Sequence, residues 1–255
     1  MAIRATGSAT ISFGLVAVPV KLYTATEAKV GVSFNLMHAC GARLKQQYVC
    51  SRDGEVVERG AAAKGYEYEK DKYVIFSAEE IKSLEEQATH AIDIAEFLPA
   101  DAVDPLHYDK PYFLGPDKGA AKAYCLLAEA MRVTDRVAIA RYAARGKSYL
   151  GLLRPFAQGM VMHQLLYADE VRSIEDVPLD EVKIRDQELK MAEMLIGQLA
   201  AETFSPEKYE DEAKKRMLDA IQQKIDGGVV SITAGSPKPK AGDLMAALQA
   251  SLKVA

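Results

Sequence analysis

Two hydrophobic rhythms run along the chain, an alternation that marks strands and a three-and-four spacing that marks helices. From Ala9 to Thr24, β-branched and aromatic residues dominate, which predicts strand, with Pro19 at an edge or bulge. Val32–Met37 is a short apolar run, and Arg43–Val49 reads as strand. Arg52-Asp53-Gly54-Glu55 is a turn, because Asp-Gly tolerates positive φ, so Val56–Lys64 should return antiparallel. Tyr66–Phe76 predicts strand on both sides of a turn at Lys70–Lys72. Ser77 opens a helix through a capping box with Glu80, and Ile81 and Leu84 should form its buried face.

Further along, Ala91–Phe97 reads as strand. Pro99, Pro105, Pro111 and Pro116 mark loops around a short strand at Tyr112–Leu114. Residues 120–131 predict a helix whose stripe is Ala123, Leu126, Leu127 and Ala130, with Cys125 in the core. Residues 136–154 form two strands broken at Gly146. Met160–Tyr167 is apolar enough for a buried strand, and Val171–Pro178 is loop. After Asp186 the pattern turns helical. Leu189, Ala192, Leu195, Ile196 and Leu199 make one stripe. Ser205-Pro206 signals a second helix start, with the stripe Tyr209, Ala213, Met217, Ile221 and Ile225 and a stop at Gly227-Gly228. Two helices without strands predict an arm. A Pro- and Gly-containing linker then leads to a last short amphipathic helix with Leu244, Leu248 and Leu252 on one face.

Length and composition set the class. A chain of 255 residues, 49% hydrophobic and 27% charged, suits a globular protein with one core, or one core and an appendage. Three cysteines are too few for a disulfide framework and fit a reducing compartment. The N-terminus lacks a signal-peptide pattern and no apolar run is long enough for a bilayer, so a cytoplasmic location with no membrane partner is expected.

The net charge of −4 hides segregation. Segments 1–65 and 111–160 carry +4 and +5, whereas 66–110 and 161–226 carry −8 and −7. The stretch 136–154 holds Arg136, Arg141, Arg145, Lys147 and Arg154 and no Asp or Glu. Val137, Ile139, Arg141, Ala143 and Arg145 share one parity. A cationic strip free of carboxylates is suited to phosphates, and a solvated strand face is the plain alternative.

Catalytic chemistry is hard to find. Gly146-Lys147-Ser148 imitates the end of a phosphate loop, but Arg141 stands where that motif needs glycine, and strand patterning runs through the place of the required helix. His38, Cys40 and Cys50, with Asp53 where a Cys-x-x-Cys pair would be completed, make a poor zinc set, and small semi-buried thiols are favoured. No nucleophilic triad or carboxylate pair can be defended, so neither enzyme activity, nor a cofactor, nor a metal is expected.

Five stretches together resemble bacterial Ku, the homodimeric DNA-end-binding family of non-homologous end joining. They are ISFGLVAVPVKLYTATE, KGYEYEKDKYVIFSAEEI, YFLGPDKGAAKAYCLLAEAM, ARYAARGKSYLGLLRP, and LKMAEMLIGQL followed by FSPEKYEDE. The resemblance covers residues 9–226. It implies a mixed β and α fold: a Ku-type β-barrel core (1–186) with an inserted β bridge (about 43–75), a helical dimerisation arm (187–230), and a linker with a partner-recruiting segment (231–255). It implies sequence-independent binding of double-stranded DNA ends by a homodimeric ring. Arg43, Lys45, Arg52, Arg59 and Lys64 on the bridge would face phosphates, with Lys21, Arg141, Arg145 and Lys147 on the barrel. Leu244, Leu248 and Leu252 would recruit an ATP-dependent ligase, the multifunctional ligase D. Some relatives resemble a zinc-bound form at the base of the bridge, where this chain has Asp53 in place of the last cysteine. The competing reading is an acidic interaction scaffold without DNA contact.

Overall fold

The computed structural model describes residues 3–27, 31–84, 90–144 and 146–227. Arg145 and the C-terminal segment with Leu244, Leu248 and Leu252 lie outside the described residues. The described residues fall into two compact units, one comprising 3–27 and 35–173, the other 31–34 and 174–227.

The first unit is built on a barrel. The run expected as one strand over 9–24 is a hairpin, β1 (Gly7–Phe13) and β2 (Val16–Thr24), with Gly14 at φ 57° in the turn. Gly14 interrupts an otherwise continuous β-branched pattern, and its left-handed backbone is the reason the chain reverses there. After β2 come four short strands outside the barrel. β3 (Tyr48–Val49) pairs antiparallel with β4 (Val56–Val57), and β5 (Lys64–Glu69) pairs with β6 (Lys72–Phe76). Helix α1 (Ala78–Leu84) follows. Its capping box is present: Glu80 N–H donates to Ser77 Oγ at 3.1 Å and Ser77 N–H to Glu80 Oε2 at 2.8 Å. The expected buried face of α1 is not: Leu84 is 75% exposed and Ile81 only half-buried, because no described element packs closely against it.

The barrel resumes with β7 (Ala91–Pro99) and β8 (Tyr108–Pro116), then α2 (Ala121–Val133), β9 (Arg136–Ala144), β10 (Lys147–Phe156) and β11 (Gly159–Leu165). The strand order is β1-β2-β8-β11-β10-β9-β7, closed by a parallel pairing of β1 with β7. Pro111 lies inside β8, which is longer than the proline pattern suggested. Pro19 is on no edge, since the barrel has none. It stands one residue before β2 starts to pair with β8, and its carbonyl accepts from Asp117 N–H at 3.0 Å.

Alternation separates two apolar clusters. Inward residues such as Ile11, Val20, Leu114, Ala138, Leu153 and Met160 pack with α2, while outward Val137, Ile139, Leu152 and Leu165 pack with Leu98, Val103 and Tyr108. The face of α2 that does this is Tyr124, Leu127, Ala128 and Met131. The expected stripe is rotated from it: Leu126 is 69% exposed and Cys125 is exposed. The decisive group is the Tyr124 hydroxyl, which donates to Leu114 C=O at 2.5 Å and accepts from Met160 N–H at 2.7 Å. A buried hydroxyl with both partners supplied lets tyrosine take a core position that aliphatic periodicity would assign elsewhere.

The second unit carries α3 (Asp186–Leu199) and α4 (Glu212–Ile225). Ser205-Pro206 opens only a single 3-10 turn, and α4 begins later with Asp211 accepting from Lys214 N–H at 2.9 Å. Tyr209 precedes α4 and stacks on Phe204. Gly227, at φ 81°, follows the end of α4. Neither helix has a buried residue within this chain.

Candidate nucleic-acid interface

The barrel places its cations on different faces. Arg141 is exposed on β9, in register with Leu150 on β10 and Asp93 on β7. Its neighbours of the same parity, Val137 and Ile139, are buried in the outer cluster, so the strip is apolar at one end and cationic at the other. Gly146, at φ 74°, turns β9 into β10, a strand-to-strand turn rather than a phosphate loop. Across that turn Lys147 pairs with Ala144 and shares the inward parity of Tyr149 and Leu153. Arg141 and Lys147 therefore belong to opposite faces of the barrel wall. Lys21 on β2 is engaged with Asp117 at 3.2 Å. The Lys118 N–H, followed by Lys21, holds the Asp117 carboxyl below its ordinary value, so this neighbour stays anionic at neutral pH.

The segment between β2 and β7 is organised differently. Arg43, Lys45, Arg52, Arg59 and Lys64 are all exposed, and none forms an ion pair with another described residue. Neighbouring carboxylates are used locally. Asp53 accepts from Glu55 N–H at 3.0 Å, Glu67 from Asp71 N–H at 2.9 Å, and Glu69 pairs with Lys72. Cations left without counter-charge beside carboxylates occupied by backbone donors are what a polyanion requires, since each phosphate neutralised releases condensed counterions.

The potential metal ligands at the start of this segment do not converge. His38 Nδ1 lies 3.0 Å from Cys40 Sγ, and the Glu55 N–H together with the Cys50 thiol holds the Asp53 carboxyl below its ordinary value. Among the described residues no three His, Cys, Asp or Glu side chains meet at a point that would hold a metal ion. The set does not fit a tetrahedral zinc site.

Sequence reasoning passed over one cluster on the outer wall. Arg154 Nε donates to His163 Nε2 at 3.3 Å, its guanidinium lies over the Phe156 ring, and His163 stacks on Tyr108. Burial, then the Arg154 charge, pushes the His163 pKa down, which keeps the ring a neutral acceptor. The register Leu152↔His163 sets Arg154 diagonally beside that ring, and no spacing along the chain reveals it.

A closed seven-stranded barrel with a cation-bearing β insertion between β2 and β7, its second and third strands along the chain, defines a Ku-type barrel protein. The family model described as the Ku70/Ku80 beta-barrel domain matches residues 12–191. The chain is 46% identical to the non-homologous end joining protein Ku of Paraburkholderia phymatum, over 99% of this chain and 84% of that protein. Against the proteins of that name from Desulfitobacterium hafniense and Bacillus subtilis the identity is 41% and 38%, over 95% of this chain and 85% and 79% of theirs. The chain belongs to the Ku family. Ku proteins are DNA-binding factors of double-strand break repair and not enzymes. Among the described residues no helix is long and apolar enough to cross a membrane.

Proposed function

We propose that two copies of this chain close into a ring that slides onto double-stranded DNA from an end, without reading sequence, in the non-homologous end joining of the cytoplasm. The observation that carries this reading is the set of five exposed, uncompensated cations on an insertion with no core of its own, in a member of the Ku family. Counterion release supplies affinity and a closed hoop supplies selection for ends over intact duplex. The barrel and bridge (1–186) hold the DNA, the helices of 187–230 embrace the partner copy, and residues 231–255 bring ATP-dependent ligase D to the break through Leu244, Leu248 and Leu252.

Binding to linear and to covalently closed circular duplex of the same sequence tests the ring: linear DNA is retained and the circle is not. Equal binding to both removes the ring, and binding to neither favours an acidic scaffold. Changing Arg141, Arg145 and Lys147 together to Glu abolishes duplex binding while the dimer persists. Undiminished binding by that folded variant removes these residues from the DNA surface. Deleting 242–255 leaves DNA binding intact and ends ligase stimulation.

A further inference from the structure

The inner wall of the barrel changes character along its axis. Near α2 its inward positions are Ile11, Val18, Leu114, Leu153 and Met160, all buried. At the other end the same columns continue as Thr24 on β2, Lys110 on β8, Tyr149 on β10 and Gln164 on β11. Gly7, Ala144 and Gly151 stand where larger side chains would fill the space. The result is a cavity of about 490 Å³ at the mouth opposite α2, with Leu22 and Met162 among its apolar walls. A barrel of this size either packs its interior with side chains or holds one small ligand, and the volume lies within the range of small-molecule sites.

The lining names the ligand's chemistry. Lys147 forms no ion pair among the described residues, and Lys110 has only a loose one, 3.7 Å from Asp109. Glu170, also at the cavity, already accepts from Tyr167 N–H through one oxygen at 2.8 Å. Two ammonium groups against one partly occupied carboxylate favour an anion. The rings of Tyr142 and Tyr149, both lining the cavity, lie 6.3 Å apart at 31°, so aromatic surface against which a base can pack forms part of its wall, and the Gln164 amide can both donate and accept. Phosphate-binding cations, stacking rings and an amide in one cavity suit a base joined to a phosphate. We propose that the barrel mouth binds a single nucleotide unit, its base against Tyr142 and Tyr149 and its phosphate on Lys147 and Lys110. The unit comes either from a free mononucleotide or from an unpaired nucleotide at a DNA end; the second source rests on the function proposed above, the first does not.

The test uses the full chain and two variants outside the proposed DNA surface. Gly7→Leu puts a side chain into the cavity that Gly7 lines, where a Cβ has open space, and Gln164→Leu removes the amide. Calorimetric titration with dAMP and with inorganic phosphate is run beside binding of blunt duplex and of duplex with a short single-stranded overhang. Expected are dAMP binding tighter than phosphate and its weakening on the order of tenfold in either folded variant, with blunt-duplex affinity unchanged. An overhang preference erased by Gly7→Leu assigns the DNA end as the source; no such preference alongside dAMP binding assigns the free nucleotide. The proposal is overturned if the parent chain neither binds dAMP better than phosphate nor prefers overhangs, or if both variants, at the parent's melting temperature, bind as the parent does. Should Gly7→Leu fail to fold, Gln164→Leu and the parent's own titration decide. Failure of blunt duplex to bind removes the function proposed above and leaves the dAMP result to be read by itself.

Discussion

The barrel and the bridge draw on similar β-branched and aromatic residues, yet only the barrel keeps them from water. Ile11, Ile92, Leu152 and Leu153 are fully buried there, whereas no described residue of 35–84 is buried, and Tyr66, Tyr73 and Ile75 lie open on a lone two-stranded sheet. A two-stranded sheet is at best marginal by itself in water. The barrel thus carries its own stability, while the segment 35–84 has no core of its own among the described residues, and five of its cations form no ion pair with another described residue.

The comparison breaks most clearly through charge. Changing Arg43, Lys45, Arg52, Arg59 and Lys64 to Glu should lower duplex affinity by about a hundredfold or more, with the melting temperature of the barrel kept. The dependence of log K on log salt should flatten by about 0.9 for each phosphate no longer neutralised. Anisotropy titrations across a salt series and a thermal scan check both halves. An unchanged salt slope would move the DNA surface off the bridge.

Packing offers the next test. Leu153→Ala, in the inward cluster, should cost about 2–5 kcal/mol, while Ile75→Ala on the bridge should stay within about 0.5 kcal/mol in the free chain. Denaturant titration separates them. Equal losses would mean that the bridge has a core within the single chain after all.

Tyr124→Phe sharpens the account of how α2 is fixed to the barrel. It leaves Leu114 C=O and Met160 N–H without their partner and should cost about 1–3 kcal/mol, seen as a lower melting temperature. Gly159→Ala probes the same contact from the strand, because a Cβ there would stand 2.9 Å from the Tyr124 hydroxyl.

The smallest effect is a pH response of the outer wall. The His163 pKa is lowered in the folded chain, so the unfolded chain takes up the proton first as pH falls. The contribution is present above the ordinary histidine value of about 6.5 and is lost as pH drops through the lowered one, read as a fall in melting temperature over that range. Replacing His163 with Gln should flatten that part of the profile, and an identical profile would remove His163 as its source.

Local signals were readable from the sequence and nonlocal ones were not. The Ser77 and Glu80 capping box, the Asp-Gly turn at Asp53 and the strand break at Gly146 each act within a few residues. The face of α2 was misread because Tyr124 answers to Leu114 and to Met160, 36 residues further on. Charge and family resemblance group Arg141 with Lys147, and neither carries the register across the turn. The two-residue turn pairs Ala144 with Lys147, so odd positions on β9 face the same way as even positions on β10. The cavity at the barrel mouth went unseen for a related reason: Lys110, Tyr149 and Gln164 meet only when the sheet closes.

That closure also orders events during synthesis. β1 pairs with β7 through Thr10–Ser12 and Ala91–Asp93, and β2 with the later β8, so the first hairpin emerges from the ribosome with both edges unmatched, the β1 edge until the whole segment between β2 and β7 has followed it. At about 5–20 residues per second that wait lasts about 3–13 s. For that time the nascent chain presents bare β edges, so the stage at which this protein most needs shelter from its neighbours falls while the segment between β2 and β7 is being made.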